Sequence, residues 1–341
     1  MYVSTRYGEG HELLSAPHLE VIVYTLQTTN SICQIIGFLI MQIPPDLILG
    51  AAAGIASSAL YAIAVVIYKS QHEEIRPLTI TAFRMWIVLP FMTLIGLLQF
   101  IVTPLVISIE SVSLLAIVIL FSVVIGDTVY FMSQERIGVS FAFPIAMSFP
   151  ILTYFLAIIF LNDTLVLSRL LGIIIAISGI ILISRDQKEE EENQKEKSHL
   201  DMYGTGLAIL TAILYATATV ILEASISDID PISANFVMIL CGSIAFVPLF
   251  GFAMSKGMQM PSRRASKIVA ITGILDMGMA FFLSVVSVKY VGATIAAVLS
   301  SVAPLFAVPI SVVFLDEHGT RKTSIGVLAT VIGIILVIIG F

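Results

Sequence analysis

An internal repeat with a constant offset of 154 residues most narrows what this chain can fold into. The offset carries Gly138 onto Gly292 and Pro150 onto Pro304, within long apolar stretches. It also matches more distant pairs, namely Gly50/Gly204, Tyr61/Tyr215, Pro77/Pro231, Gly172/Gly326 and Gly179/Gly333. A single offset without a gap over most of the chain indicates that one apolar unit has been duplicated.

The composition predicts that this duplicated unit lies in a membrane. Hydrophobic residues make up 58% of the chain and charged residues only 12%, which is outside the range of soluble globular proteins. Apolar runs of about 18 or more residues recur, and each is long enough to cross roughly 30 Å of hydrocarbon as a helix. The alternating segments of about ten residues that mark a β-barrel are missing from the sequence. We therefore expect an all-α integral membrane protein in contact with lipid.

The apolar runs predict ten transmembrane helices, five in each half. The expected spans are 47–68, 78–101, 112–133, 139–160, 167–184, 202–224, 232–254, 268–288, 293–315 and 322–340. Because five is an odd number, the second half must be inverted relative to the first. Two inverted five-helix repeats are typical of secondary transporters, whose binding site lies near the midplane between the halves.

The remaining segments lie outside the two predicted repeats, 46–184 and 202–341. Residues 1–45 do not fit the repeat, and their apolar stretch 31–43 is too short to span a membrane. They are expected to be an interfacial helix, an upstream extension from a mis-assigned start, or a weak extra helix. Residues 185–201 carry a dense run of charges and are expected to be a solvated linker.

The basic residues between the spans predict an orientation. In the ten-span arrangement nearly all of them fall on one side, and only Arg6, Arg169 and Lys289 fall on the other. The positive-inside rule then places both termini outside the cytoplasm.

Residue usage argues against several enzyme classes. All five histidines lie outside the apolar runs, and Cys33 and Cys241 are isolated, so the sequence predicts neither a metal site nor a histidine-activated nucleophile within the membrane. The phosphate-binding pattern Gly-x4-Gly-Lys-Ser/Thr is missing, so the chain itself is not expected to use ATP. We expect no organic cofactor and no nucleic-acid partner.

The repeated motif resembles a known transporter family. Gly-x3-Ala-x7-Pro occurs at 138–150 and 292–304, and each copy is followed by Phe-Leu, an acidic turn and a helix that closes in Gly-Ile-Ile-Leu. These marks are similar to the drug/metabolite transporter superfamily, in its ten-helix form built from two EamA-type repeats. The resemblance covers about residues 47–340. It implies transport of a small organic metabolite across the plasma membrane, with export of amino acids or related compounds as the family-level expectation.

The chain departs from the usual family pattern at the acidic turn and in its predicted orientation, and it matches the pattern at Arg84. The family more often has Gly-Glu at the acidic turn, whereas the first half has Asn162-Asp163, so no role for that glutamate carries over to it. Arg84 matches an arginine common in the second helix of the family. The family usually keeps both termini in the cytoplasm, which is opposite to the orientation that the charges predict.

Charged residues well inside the spans are the main candidates for function, because they are costly in hydrocarbon. Arg84 and Asp127 both lie roughly 10 Å deep from the same side, so they can meet if their helices are neighbours. They form either a structural ion pair or a substrate site in which Arg84 holds a carboxylate or phosphate and Asp127 tunes it.

Asp276 lies near the middle of the eighth span without an obvious cationic partner at that depth. An unpaired buried carboxylate tends to be protonated, which is what a proton-coupling site needs. The alternative is a protonated aspartic acid that bonds a neighbouring backbone carbonyl and has only a structural role.

Three uncharged residues complete the predicted site. Tyr61 and Tyr215 are repeat-related and lie well inside their spans, so they either face a shared cavity or pack between helices. Asn235 in the seventh span is a further candidate for substrate binding.

Proline and glycine pairs predict bends and close contacts. The pair Pro150/Pro304 predicts matching bends beside the cavity. Glycines at a spacing of seven residues, Gly172/Gly179 and Gly326/Gly333, predict close helix packing, within the chain or between protomers of a homodimer.

The sequence as a whole predicts a secondary transporter for a small organic metabolite, working by alternating access and possessing no enzymatic activity. The main alternative is a membrane protein that handles lipid or a lipid-linked substrate, as a flippase or a membrane enzyme. A non-transporting scaffold or sensor is a third reading, and the buried charges count against it.

Overall fold

The computed structural model describes residues 44–69, 77–102, 107–137, 139–192, 201–255, 262–303, 305–306 and 321–339. Contacts divide the chain into two units, residues 1–48 and 49–341. The described residues of the first unit form the start of a helix, where the N–H of Leu47 donates to the carbonyl oxygen of Pro44 at 3.0 Å. The second unit holds all other described residues. The predictions for residues 1–43 lie outside the described residues.

All regular structure in the described residues is helical. The helices are α1 (Pro45–Lys69), α2 (Pro77–Val102), α3 (Ile109–Ile119), α4 (Thr128–Ile137), α5 (Val139–Ala146), α6 (Phe149–Phe160), α7 (Leu167–Glu192), α8 (Met202–Ser225), α9 (Pro231–Ser255), α10 (Arg263–Gly273), α11 (Phe281–Ser301) and α12 (Arg321–Ile339). Two π-helical segments, π1 (Leu120–Asp127) and π2 (Ile274–Ala280), join α3 to α4 and α10 to α11.

Within the described residues, seven helical stretches are long and apolar enough to span a membrane, and two further apolar helices, Leu167–Leu182 and Ile325–Ile339, are shorter. The longest stretch, Arg263–Ser301, has 39 residues. A continuous helix of this length would measure roughly 58 Å, about twice the hydrocarbon thickness. However, Gly292 interrupts it with φ 77° and ψ 168°, a conformation outside the helical region. The chain is thus an all-α membrane protein with fewer full-length spans in its described part than the ten predicted.

The repeat is visible in the irregular backbone. π1 and π2 begin at Leu120 and Ile274, which the 154-residue offset relates. The turns of the two halves correspond as well: Ser148 donates its N–H to the carbonyl of Ile145, and its counterpart Val302 donates to Leu299. These turns confirm matching bends beside Pro150, although Pro304 itself lies outside the described residues. The same unit has therefore folded twice, including its departures from ideal helix.

The helices α7 and α12 are repeat equivalents and pack closely. A Cβ placed on Gly172 would lie 2.7 Å from the carbonyl oxygen of Gly333, and one on Gly179 would lie 2.5 Å from that of Gly326. The predicted close packing at these glycines is confirmed, within the chain. From Gly172 to Gly179 the chain of α7 runs forward, whereas the contacted residues of α12 run backward from Gly333 to Gly326. The two helices are therefore antiparallel.

A second pair of contacts obeys the same offset. A Cβ on Gly50 would lie 2.6 Å from a methyl carbon of Val291, and a Cβ on Gly204 would lie 2.6 Å from a methyl carbon of Ile137. The first helix of each repeat thus approaches the end of the third helix of the other repeat. This reciprocity brings the two halves together around a common centre.

One boundary differs from the prediction. The fifth predicted span ends at residue 184, but α7 continues to Glu192, so the first part of the predicted linker 185–201 is helical. The charged side chains after the apolar run do not end the helix, since glutamate and lysine are good helix formers. Residues 193–200 lie outside the described part of the chain.

Candidate functional site

A cavity of about 160 Å³ lies between the two repeats. Each repeat contributes its first helix, its π-helical region and the turn in its fourth predicted span. The lining residues are Ser57, Ser58, Tyr61, Ser122, Val123, Asp127, Met147, Phe149, Tyr215, Thr219, Asp276, Met277, Ala280, Phe281, Ser284 and Ser300.

The π-helical segments supply the acidic groups of the cavity. Asp127 ends π1 and Asp276 lies within π2. A π-helical turn contains one extra residue, which changes the direction of the side chains relative to a regular α-helix and alters the backbone hydrogen bonds. Such turns are frequent at functional sites. The repeat counterpart of Asp276 is Ser122, and that of Asp127 is Phe281. The two halves therefore share a backbone but place different chemistry on it.

Arg84 on α2 pairs with both aspartates. Its Nη2 forms an ion pair with Asp127, and its Nη1 lies 2.8 Å from Oδ2 of Asp276. The predicted meeting of Arg84 and Asp127 is confirmed. The expectation that Asp276 lacks a cationic partner is wrong. A Cβ on Gly273 would lie only 2.9 Å from Cβ of Arg84, so this glycine lets α10 approach α2 and brings Asp276 within reach.

Tyrosines complete the environment of the two carboxylates. Tyr215 donates its hydroxyl to Oδ1 of Asp127 at 2.6 Å, and Tyr68 donates to Oδ2 of Asp276 at 3.4 Å. The guanidinium of Arg84 also lies 5.9 Å from the ring centroid of Tyr68, at cation–π distance. Each aspartate thus has one arginine nitrogen and one phenol as partners.

Arg84 lies behind the cavity wall rather than in it. Its side chain is 1% exposed, both of its terminal nitrogens are engaged by carboxylates, and it is not one of the lining residues. The geometry does not support the idea that Arg84 faces the cavity and holds a carboxylate or phosphate. Its position instead fits a positioning role for Asp127 and Asp276.

The two predicted tyrosines both line the cavity, whereas Asn235 does not. Tyr61 and Tyr215 reach it from α1 and α8. Asn235 on α9 is fully buried against α2, where its Nδ2 lies 3.6 Å from Sδ of Met92. This contact places the residue in the packing interface between α2 and α9, and its role in substrate binding stays a prediction.

Sequence reasoning missed the hydroxyl groups of the cavity. Ser57 donates to the carbonyl of Ala280 at 2.7 Å, and Ser58 donates to the carbonyl of Leu299. Both acceptors lie beside irregular backbone, where freed carbonyls need new partners in a membrane. A signal was present, since Ser57 and Ser58 precede Tyr61 by four and three residues and therefore share its helix face.

A second polar cluster lies at the break of Gly292. The carboxylate of Glu223 accepts a hydrogen bond from the N–H of Ala293, the first residue after the break. Nearby, Arg169 pairs with Asp163 at 2.9 Å. A carboxylate at a helix N-terminus satisfies a free N–H and favours the helix dipole. The repeat counterpart of Glu223 is Lys69, a cation that cannot accept such a bond.

Comparison with known proteins identifies the family. The EamA-like transporter family matches residues 48–185 and again 202–339. The chain belongs to the EamA-like transporter family. The resemblance noted from the repeated motif is thereby confirmed, and this EamA-like transporter is a multi-pass integral protein of the plasma membrane.

Relatives of this EamA-like transporter include proteins named only as transporters. It is 25% identical over 236 residues to an uncharacterized transporter of Archaeoglobus fulgidus, covering 69% of this chain and 78% of the relative. It is 23% identical over 225 residues to the uncharacterized transporter YxxF of Bacillus subtilis, covering 64% and 68%. A protein of known crystal structure shares its fold at a TM-score of 0.66 over 84% of this chain and 95% of that one, with 14% identity.

Proposed function

We propose that this protein is a secondary transporter of ten transmembrane helices, which moves a small organic metabolite by alternating access in exchange for protons. The central observation is the cavity between the repeats, whose wall carries Asp127 and Asp276. Buried charges in a membrane protein are costly and mark substrate or proton pathways. A scaffold would gain nothing from holding them at the centre of its fold.

Two features support an arrangement of ten helices in two inverted repeats. Dividing the longest helical stretch at Gly292 gives one predicted span before the break and the start of the next after it. The antiparallel packing of Gly172 on Gly333 and Gly179 on Gly326 relates equivalent helices by a rotation that reverses their direction. An axis in the membrane plane produces that reversal, and an axis along the membrane normal does not.

Alternating access is supported by the reciprocal contacts of the first helices with the third helices, at Gly50/Val291 and Gly204/Ile137. In an inverted repeat, an exchange of conformations between the halves moves the opening from one side to the other.

Proton coupling is supported by the charge balance around Arg84. Two carboxylates share one guanidinium, so the fully ionised cluster carries an excess negative charge. An uncompensated charge at this depth is strongly unfavourable, and binding one proton removes it. A solute that displaces this proton on one side and is displaced by it on the other would be exchanged for it, and an inward proton gradient would drive export.

Transport by reconstituted protein tests the proposal. Proteoliposomes loaded with pools of amino acids, amines, sugars or nucleosides are assayed for solute exchange and for proton movement, reported by a pH-sensitive dye in the lumen. We expect one pool to exchange and to move protons, and Asp276→Asn to lose the proton movement. Asp228→Asn makes the same chemical change at an exposed position and should behave like the parent. Lipid scrambling without exchange of any solute would contradict the proposal and favour a flippase.

A further inference from the structure

The charged groups of the cavity wall are all acidic. Of the lining residues that the structure describes, Asp127 and Asp276 are the carboxylates, and the set contains no lysine, arginine or histidine. Arg84 lies behind them and compensates one of the two charges. The cavity therefore presents excess negative charge to a solute.

The wall has eight hydroxyl groups, and most of them offer only acceptors to a solute. Five of them already donate their hydrogen to the protein: Ser57 to Ala280, Ser58 to Leu299, Ser122 to Val118, Tyr215 to Asp127 and Thr219 to Tyr215. A hydroxyl that has given its one hydrogen offers only lone pairs to a ligand. These five hydroxyls suit a solute that donates hydrogen bonds and do not suit a carboxylate or phosphate, which needs donors. The other three lining hydroxyls belong to Tyr61, Ser284 and Ser300.

Aromatic rings form a third element of the wall. Tyr61, Phe149, Tyr215 and Phe281 all line the cavity, and Phe149 meets Tyr215 edge to face with centroids 5.9 Å apart. Aromatic rings attract cations through the negative potential of their faces, and rings clustered around a site are used to recognise ammonium groups.

We propose that the solute of this transporter carries an amine or quaternary ammonium cation that binds between Asp127 and Asp276. This inference rests on the transport function proposed above and narrows it. Carboxylates, hydroxyl lone pairs and ring faces are all complementary to a cation. The excess charge of the cluster matches a single positive charge, so a monovalent cation replaces the proton without a net change. A zwitterionic amino acid would bring its carboxylate against a wall that carries two carboxylates and mostly acceptor hydroxyls.

Isosteric pairs of probes separate charge from shape. Purified full-length protein is titrated calorimetrically with choline and with its neutral isostere 3,3-dimethylbutan-1-ol, and likewise with ethanolamine and 1-propanol. We expect saturable binding of at least one cation, at least tenfold tighter than its neutral partner. The anion 3,3-dimethylbutyrate should not bind. Equal affinity for a cation and its isostere, preferential binding of the anion, or binding of none of the probes would overturn the inference.

Variants test the location of the site. Asp127→Asn should weaken cation binding at least tenfold, whereas the exposed control Asp228→Asn should not change it. If Asp127→Asn does not fold, Phe281→Leu removes a ring without touching the ion pairs, and it should weaken choline binding several-fold. Unchanged affinity in the folded variant places the cation elsewhere and overturns the inference.

The two proposals fail in different ways. If proteoliposomes exchange a neutral or anionic pool while amines are inactive, the inference on the cation is wrong and the transport function stands. If no pool is exchanged, the transport function fails, and the inference fails with it.

Discussion

Replacing Arg84 with glutamine should destabilise the folded protein strongly. The change leaves Asp127 and Asp276, whose side chains are 13% and 2% exposed, without their shared cation. Removing one partner of a buried ion pair costs about 3–5 kcal/mol, because the remaining charge is uncompensated. Cavity water can solvate Asp127 better than the less exposed Asp276, and both groups can take up protons. We therefore expect a loss near 3 kcal/mol, roughly a hundredfold in the folding equilibrium.

The chain provides its own probe for this measurement. Trp86 is its single tryptophan, lies two residues from Arg84 and donates Nε1 to the carbonyl of Ser243 on α9 at 3.0 Å. Its fluorescence therefore reports separation of α2 from α9 when the purified protein is unfolded by denaturant in mixed micelles. Asp228→Asn, at an exposed position, serves as the matched control.

Neutralising the whole cluster should restore much of the lost stability. The triple variant Arg84→Gln/Asp127→Asn/Asp276→Asn keeps similar side-chain sizes and leaves no buried charge, so most of the 3 kcal/mol should return. The double variant Arg84→Gln/Asp127→Asn should lie between the two. If Arg84→Gln is as stable as the parent, or if the triple variant is no more stable than Arg84→Gln, the ion cluster does not stabilise the fold as argued.

Three further predictions concern coupling, packing and orientation. Asp276→Asn should lose proton-driven accumulation, and full accumulation in a dye-based flux assay would remove Asp276 from the mechanism. Gly179→Ala should lower stability by about 1–3 kcal/mol in thermal unfolding, because its Cβ would meet the carbonyl of Gly326. The control Gly206→Ala, where a Cβ meets no atom within 4 Å, should change little, and equal effects of the two would contradict the packing argument. A reporter fused after Phe341 should be active only outside the cytoplasm if the basic residues set the orientation, and cytoplasmic activity would favour the topology usual in the family.

The sequence predicted the features that depend on periodicity and depth. The helix positions follow from hydrophobic runs, and the repeat follows from the constant offset. The meeting of Arg84 and Asp127 follows from equal depth on neighbouring helices, and the packing of Gly172 on Gly333 follows from small residues on one helix face. Each is a property of one helix or of a pair of helices, which a sequence displays directly.

The sequence did not predict features that depend on how three or more helices meet. Asp276 reaches Arg84 because α10 approaches α2 at Gly273, and the sequence of either helix alone does not predict that contact. The contact of Asn235 with Met92 was also not predicted, because polarity and depth do not determine which face of α9 packs against α2. The π-helical segments were missed because an extra residue in a helical turn leaves the hydrophobic run unchanged.

Access to the cavity from both sides of the membrane is the central claim, and a single cysteine tests it most directly. Cys33 and Cys241 are replaced by alanine, and Ser284, which lines the cavity, is changed to cysteine. A membrane-impermeant thiol reagent is then applied from either side of sealed vesicles, with Ser227→Cys in the exposed α8–α9 connection as a marker of one side. Alternating access predicts that the cysteine at 284 is labelled from both sides and that the marker is labelled from one. Labelling of the cysteine at 284 from only one side, with or without solute and at either sign of the proton gradient, would contradict the account.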